Sequence, residues 1–245
     1  MGIYPKKYDV VVVGAGHAGC EAALASARMG CSVLLMAIDL DKVAAMPCSP
    51  SIGGMAKGQL VKEIDALGGE MAKITDQTAI QYKTLNTKKG PAVHSSRTQN
   101  DKARYHLAMK NVIENEINIE LKQAMVERLI VENGRVTGIE DATGYGYLSE
   151  TVVLATGTFL SGLVHIGFKS TQAGRAGEFA SYGLPAHLKD LGFDLGRMKT
   201  GTPPRLRKSS IDFSKFARQE IEEEPVPFSY FTDKITMPQL PSYIG

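Results

Sequence analysis

Tryptophan is absent from the 245 residues, and cysteine occurs only as Cys20, Cys31 and Cys48. Three cysteines with no Cys-x-x-Cys pair exclude a disulfide framework, and the Cys/His spacing of a zinc site is missing, so no metal is expected. Long apolar runs are missing too. His17, Glu21 and Arg28 interrupt the one stretch that approaches the ~18 residues a membrane span requires. The opening MGIYPKK has no signal-peptide pattern, and there are no internal repeats. A charged fraction of 22% against 43% hydrophobic residues is ordinary for a globular chain and excludes a disordered one. The expectation is a cytoplasmic protein in a reducing setting, without membrane contact.

What is present is concentrated between Tyr8 and Met36. The β-branched run Val10 to Val13 ends in Gly14-Ala15-Gly16-His17-Ala18-Gly19. Ala22, Ala23, Ala27 and Met29 then repeat at helical spacing, and Ser32 to Met36 reads as a second buried strand. A strand, tight turn, helix and strand in about 30 residues is the context that gives a Gly-x-Gly-x-x-Gly match its meaning. Gly14 permits the turn, Gly16 lets a pyrophosphate approach the backbone, and Gly19 lets the helix sit close to the strand. The free N–H groups and positive dipole end of the helix then face the phosphates. An acidic residue usually follows the second strand to take the ribose. Here Met36-Ala37-Ile38 occupies that place, and either Asp39 reaches back or the backbone serves instead.

Further along, Met46 to Gly58 is a Gly-, Pro- and Ser-rich loop before a helix whose buried face is expected at Leu60, Val61, Ile64 and Leu67. Within it, Cys48 reads equally as a thiol activated by the helix start and Lys57, or as a buried filler. Cys20 and Cys31 read as fillers. Gln77 to Asn100 contains Lys83, Lys88, Lys89, His94 and Arg97 and no acid, so it reads as either a solvated basic loop or a track for a nucleic-acid backbone. A helix is expected over Asp101 to Asn115. Ile117–Leu121, Met125–Glu132, Arg135–Glu140 and Gly146–Leu148 read as short strands of a meander, with Asn133-Gly134 as a hairpin turn. The strand Thr151 to Ala155 follows and ends in Thr156-Gly157, an arrangement that favours FAD over NAD. Lys169 to Phe179 is a Gly-rich loop in which Arg175 either clamps an anion or is solvated, ahead of a helix over Ala180 to Leu191. Arg197 to Lys208 carries five cations, Arg205 and Arg207 among them, and no acid.

The blocks GAGHAGCEAA, CSPSIGGMAKGQLVKEIDALGGEM, TLNTKKGPAV, ATGTFLSG, AGRAGE and GRMKTGTPPRL, in this order, resemble the MnmG (GidA) family of flavoprotein subunits. The resemblance implies an α/β fold: a glutathione-reductase-like, Rossmann-type FAD domain over residues 1–192 with a β-meander insertion, then the start of an inserted NADH-binding-type domain over 193–245. It implies an N-terminal fragment lacking the late strand that completes the FAD site. FAD would be held by Gly14 to Gly19 with Val126, Ser181, Thr156 and Gly157, and NADH would be its reductant. Cys48, the candidate catalytic residue, matches the first conserved cysteine of the family, although Ser49 stands where the family has Asn. The implied activity adds a (carboxymethyl)aminomethyl group at C5 of a tRNA wobble uridine, with methylenetetrahydrofolate as carbon source. The implied partners are tRNA, met by Lys83, Lys88, Lys89, Arg97, Arg205 and Arg207, the GTPase MnmE in a heterotetramer, and a second copy in a homodimer. A folate- and FAD-dependent tRNA uridine methyltransferase and a non-catalytic flavin-binding scaffold are the alternatives.

Overall fold

The computed structural model describes residues 2–244. In chain order its elements are β1 (Gly2–Ile3), β2 (Tyr8–Val13), α1 (His17–Arg28), β3 (Val33–Ala37), β4 (Ser51–Gly53), α2 (Lys57–Ala66), α3 (Met71–Thr78), β5 (Ala79–Leu85), β6 (Ser95–Asn100) and α4 (Lys102–Asn115). They continue with β7 (Ile119–Gln123), β8 (Val126–Glu132), β9 (Arg135–Asp141), β10 (Tyr145–Leu154), β11 (Leu163–Ile166), β12 (Lys169–Gln172), α5 (Gly183–Asp190), β13 (Ala217–Gln219) and β14 (Ser242–Ile244). The chain divides into two units, Met1–Ala44 with Lys110–Lys199 and Ala45–Met109 with Thr200–Gly245, so the division falls inside α4 and again at 199/200. The family resemblance places the boundary at 192/193. The residues after Thr200 instead share a unit with residues 45–109.

The first unit is built on a seven-stranded sheet of order β7-β3-β2-β10-β9-β8, with β1 alongside β10. Strands β7, β3, β2 and β10 are mutually parallel. The valine run of β2 and all of β3 are buried, as a parallel sheet covered on both faces requires. Helix α1 buries Gly19, Cys20, Ala23, Leu24 and Ala27, while the expected Met29 lies 77% exposed at the helix end. The meander is β8-β9-β10, turning at Asn133 and Gly134 with φ of 52° and 75°, the primed turn the Asn-Gly pair predicts. Two departures appear here. Gly146–Leu148 and Thr151–Leu154 belong to one strand, β10, whose first half pairs with β9 and second half with β2. The run near Ile119 is not in the meander but forms the outer parallel strand β7 beside β3.

The turn between β9 and β10 is organised by Asp141, which is buried and accepts hydrogen bonds from Thr143 N (2.8 Å), Thr143 Oγ1 (2.6 Å), Tyr145 N (3.2 Å) and Tyr147 Oη (3.2 Å). Burial opposes its charge, but these donors outweigh burial and hold the carboxyl below its ordinary range. A depressed native value means that Asp141 stabilises the fold above the unfolded carboxylate value of about 4, and that this contribution is lost as pH falls through the native value. Urea midpoints are therefore expected to drop between about pH 5 and about pH 3. Asp141→Asn is expected to flatten the drop, and an equally steep drop in the variant would reject the assignment.

The second unit carries the antiparallel sheet β4-β6-β5, helices α2 and α3, and the chain beyond Thr200 with its small β13–β14 pair. The basic stretch expected as a loop is largely the β5–β6 hairpin. The buried face of α2 is Gly58, Val61 and Asp65, whereas Leu60 and Leu67 are exposed. The reason is polar. Asp65 accepts Ser229 Oγ (2.7 Å) and Tyr230 N (2.7 Å), so the helix turns a carboxylate inward and not a leucine.

Candidate functional site

The carboxyl ends of the four parallel strands lie side by side. After β2, Gly14 N donates to the Met36 carbonyl at 2.8 Å. After β7, Ala124 N donates to the Ala37 carbonyl of β3 at 2.9 Å, and Ala155 N, after β10, donates to the Val13 carbonyl at 2.8 Å. Thus the glycine turn, Ile38–Asp39, the approach to Val126 and Thr156–Gly157 share one edge, the place where open α/β sheets bind ligands.

The three glycines of the turn have different causes. Gly14 has φ of +104°, and a Cβ there would meet the Ala155 carbonyl. A Cβ on Gly19 would run into the Gly14 carbonyl, so the helix can sit this close only without a side chain. Gly16 has ordinary extended backbone, φ −76° and ψ −174°, and a Cβ there would meet nothing within 4 Å. It is the N-cap of α1 and supplies no side-chain cap to the first helical N–H groups. Ala15 is buried, while Gly16 and Ala18 are exposed. Burial, followed by the charge of Arg175, pushes His17 below its ordinary value and keeps the imidazole neutral.

Thr156 and Gly157, the latter with φ of 56°, open a loop tied to Ser181: Ser181 N donates to the Phe159 carbonyl (2.9 Å) and Ser161 N to the Ser181 carbonyl (2.8 Å). The Ser181 hydroxyl is buried and has no hydrogen-bond partner among the described residues. Val126 packs its side chain into the core with Val13, Met36 and Leu184, which leaves its backbone as the part able to meet a ligand. Asp39 Oδ1 accepts from Asp41 N at 2.8 Å, capping a short 3-10 turn directly after β3. Arg175 is neither solvated nor an open clamp. It pairs with Glu178 at 2.8 Å and lies 5.1 Å from the Phe159 ring centre.

The cysteines separate clearly. Cys20 is buried, donates to the Ala15 carbonyl at 3.5 Å, and has its thiol pushed up by burial to about 12. It is a filler, as expected. Cys31 is a half-buried free thiol just ahead of β3. Cys48, in the second unit, contacts the Gly201 carbonyl and lies 3.9 Å from Thr200 Oγ1. Arg205 Nη2 donates to the carbonyls of Pro47 (3.0 Å) and Cys48 (3.1 Å). Lys102, lowered by burial first and then by Arg205, also feels the Cys48 thiol. The cations at this loop are therefore Lys102 and Arg205, while Lys57 stands exposed at the start of α2.

Of the residues read as nucleic-acid contacts, Lys83 and Arg97 face each other across β5 and β6, and Lys88, Lys89 and Arg207 are exposed. Arg205 is exposed as well, but part of its guanidinium is engaged by the Cys48 loop. Among the described residues no group of three or more His, Cys, Asp or Glu is placed to hold a metal ion, and no helix is long and apolar enough to cross a membrane.

A parallel sheet with a glycine turn feeding a helix at its carboxyl edge defines an α/β chain of the dinucleotide-binding fold class. Comparison then gives the family. Residues 9–245 match the family described as glucose inhibited division protein A, and the chain belongs to it. It is 64% identical over 239 residues to the tRNA uridine 5-carboxymethylaminomethyl modification enzyme MnmG of Syntrophobacter fumaroxidans, covering 98% of this chain and 37% of that protein. The MnmG of Geobacter sulfurreducens is 57% identical, with 99% and 39% covered. Among solved structures, Aquifex aeolicus GidA superposes with a TM-score of 0.93 at 46% identity, over 97% of this chain and 40% of that one. A GidA-related protein from Thermus thermophilus gives 0.57 at 26%, over 77% and 70%. The chain thus spans about two-fifths of the MnmG relatives it matches.

Proposed function

We propose that this chain is the FAD-holding part of a tRNA wobble-uridine modification enzyme. The observation that carries the cofactor reading is Gly16. Among the described residues nothing beyond its chain neighbours requires glycine there, since the backbone is ordinary and the space beyond is open. A ligand brought against the backbone supplies the missing requirement. The residues present fit FAD: the first-turn N–H groups of α1 would hold the pyrophosphate, and the partnerless Ser181 hydroxyl and the Val126 backbone would supply further polar contacts. When bound, FAD supplies hydride transfer. The chain's own residues bind and orient it.

Substrate class follows from the relatives' activity, addition of a carboxymethylaminomethyl group to tRNA uridine, together with the β5–β6 hairpin. Lys83 and Arg97 are directly opposed like charges, an arrangement that destabilises a sheet unless an anion lies across it. With Lys88 and Lys89 at the hairpin's exposed end they form a phosphate-binding strip. In the assembled enzyme, NADH would reduce the flavin, methylenetetrahydrofolate would provide the carbon, and the GTPase MnmE and a second copy would be partners.

The test supplies a full-length protein carrying this sequence, with MnmE, GTP, methylenetetrahydrofolate, NADH and glycine or ammonium, to unmodified tRNA and analyses the nucleosides. Formation of the modified uridine supports the reading, and its absence with every component present rejects it. Charge reversal at Lys88 and Lys89 is expected to lower the slope of log affinity against log salt by about one for each phosphate that is no longer neutralised. An unchanged slope removes them from the interface. Cys48→Ser is expected to keep FAD and lose the modified nucleoside, whereas full activity would leave Cys48 as packing.

A further inference from the structure

The turn at 228–231 exposes two adjacent aromatic rings on a backbone that is held rigidly. Phe228 N and Ser229 N donate to the Asp76 carboxylate at 2.8 and 2.9 Å, and Ser229 Oγ and Tyr230 N donate to Asp65 at 2.7 Å each. Both carboxylates are buried, and so is the Phe228 ring. The next two side chains go the other way. Tyr230 and Phe231 are each 66% exposed. These four hydrogen bonds hold the backbone beneath the two rings in one conformation.

Each ring has an ammonium beside it. Lys62 Nζ lies 5.0 Å from the Tyr230 centroid and also donates to the Phe228 carbonyl at 3.1 Å. Lys73 Nζ lies 5.5 Å from the Phe231 centroid and 3.4 Å from Glu70 Oε2. Exposed aromatic faces interleaved with lysines, on a backbone that loses little entropy when occupied, match the chemistry of an unpaired nucleobase and its phosphate.

We propose that Tyr230 and Phe231 form a stacking platform for an unpaired base of the RNA substrate, with Lys62 and Lys73 facing the adjacent phosphates. The platform lies within the second unit and rests on the RNA reading given above. It is separate in sequence from the Lys83–Arg97 strip and does different work: the strip neutralises backbone, the platform grips bases.

The experiment measures anisotropy of a labelled single-stranded oligouridylate, and of the same backbone with abasic sites, titrated with a full-length protein carrying this sequence. Tyr230→Ala and Phe231→Ala are each expected to weaken oligouridylate binding about tenfold, with the salt slope kept, and Tyr230→Phe is expected to rescue the first loss. The abasic strand is expected to bind the wild type as weakly as oligouridylate binds the double alanine variant. If the wild type binds neither strand, the RNA reading itself fails. If it binds oligouridylate and the alanine variants bind equally well, the platform alone is overturned. Unchanged RNA binding with altered self-association on a sizing column would likewise overturn it, assigning the rings to a contact between copies.

Discussion

Gly16→Asp is expected to leave the fold intact, or slightly more stable, while reducing FAD affinity by more than about 100-fold. Aspartate is among the best N-caps and glycine an ordinary one, so the change supplies a side-chain acceptor to the first turn of α1 and an anion to its positive end. The side chain enters open space, since no atom of a described residue other than its chain neighbours lies within 4 Å of the position its Cβ takes. The same volume is where a pyrophosphate must approach, and there the new carboxylate adds both bulk and like charge. Gly14→Ala and Gly19→Ala invert the pattern. Each puts a Cβ against backbone, the Ala155 carbonyl in one case and the Gly14 carbonyl in the other, and Gly14 adds a positive φ that alanine resists. Overpacking of this kind costs about 1–3 kcal/mol and distorts the turn, so these variants are expected to lose stability as well as flavin. The pair of measurements is a thermal melt without FAD and a flavin titration read by absorbance. If Gly16→Asp binds FAD like the wild type, the dinucleotide assignment at this turn fails.

The turn is legible in the sequence because its three requirements are local: a strand period, a glycine spacing and a helix period within one short segment. The Asn133-Gly134 hairpin is legible for the same reason. What does not show are features decided by distant partners. Leu60 within α2 and Leu67 just after it are exposed where periodicity predicts burial, because Asp65 is drawn inward by Ser229 and Tyr230. The run near Ile119 reads like any short apolar strand, and only its pairing with β3 separates it from the meander. The basic stretch from Gln77 looks like a loop because Lys and Asn are poor strand formers, yet β5 and β6 pair over six registered positions. Arg205 carries no motif that ties it to the Cys48 loop, and its bonds to the Pro47 and Cys48 carbonyls join two segments far apart in sequence.

The same dependence on distant partners sets the largest expected stability effect, at Asp76. Its Oδ1 accepts from Tyr82 Oη (2.7 Å) and Phe228 N (2.8 Å), and its Oδ2 from Ser229 N (2.9 Å), with Asp76 itself 3% exposed. Burial, then the hydrogen bond to Asp76, pushes the Tyr82 phenol well above its ordinary value, so it remains a donor at every workable pH. Asp76→Ala leaves three donors without an acceptor in a buried site, and is expected to destabilise the second unit by about 3 kcal/mol or more. Asp76→Asn keeps the volume but turns one oxygen into an N–H group, which then opposes either Ser229 N–H or the other two donors. Its expected cost is smaller, about 2 kcal/mol. Because these bonds tie residues 228–229 to α3 across 152 positions of sequence, hydrogen exchange at Phe228 and Ser229 should accelerate before the first unit responds. Urea unfolding with exchange at these two amides checks both expectations. Protection retained in Asp76→Ala would mean that the buried Phe228 ring, and not the carboxylate, holds the segment in place.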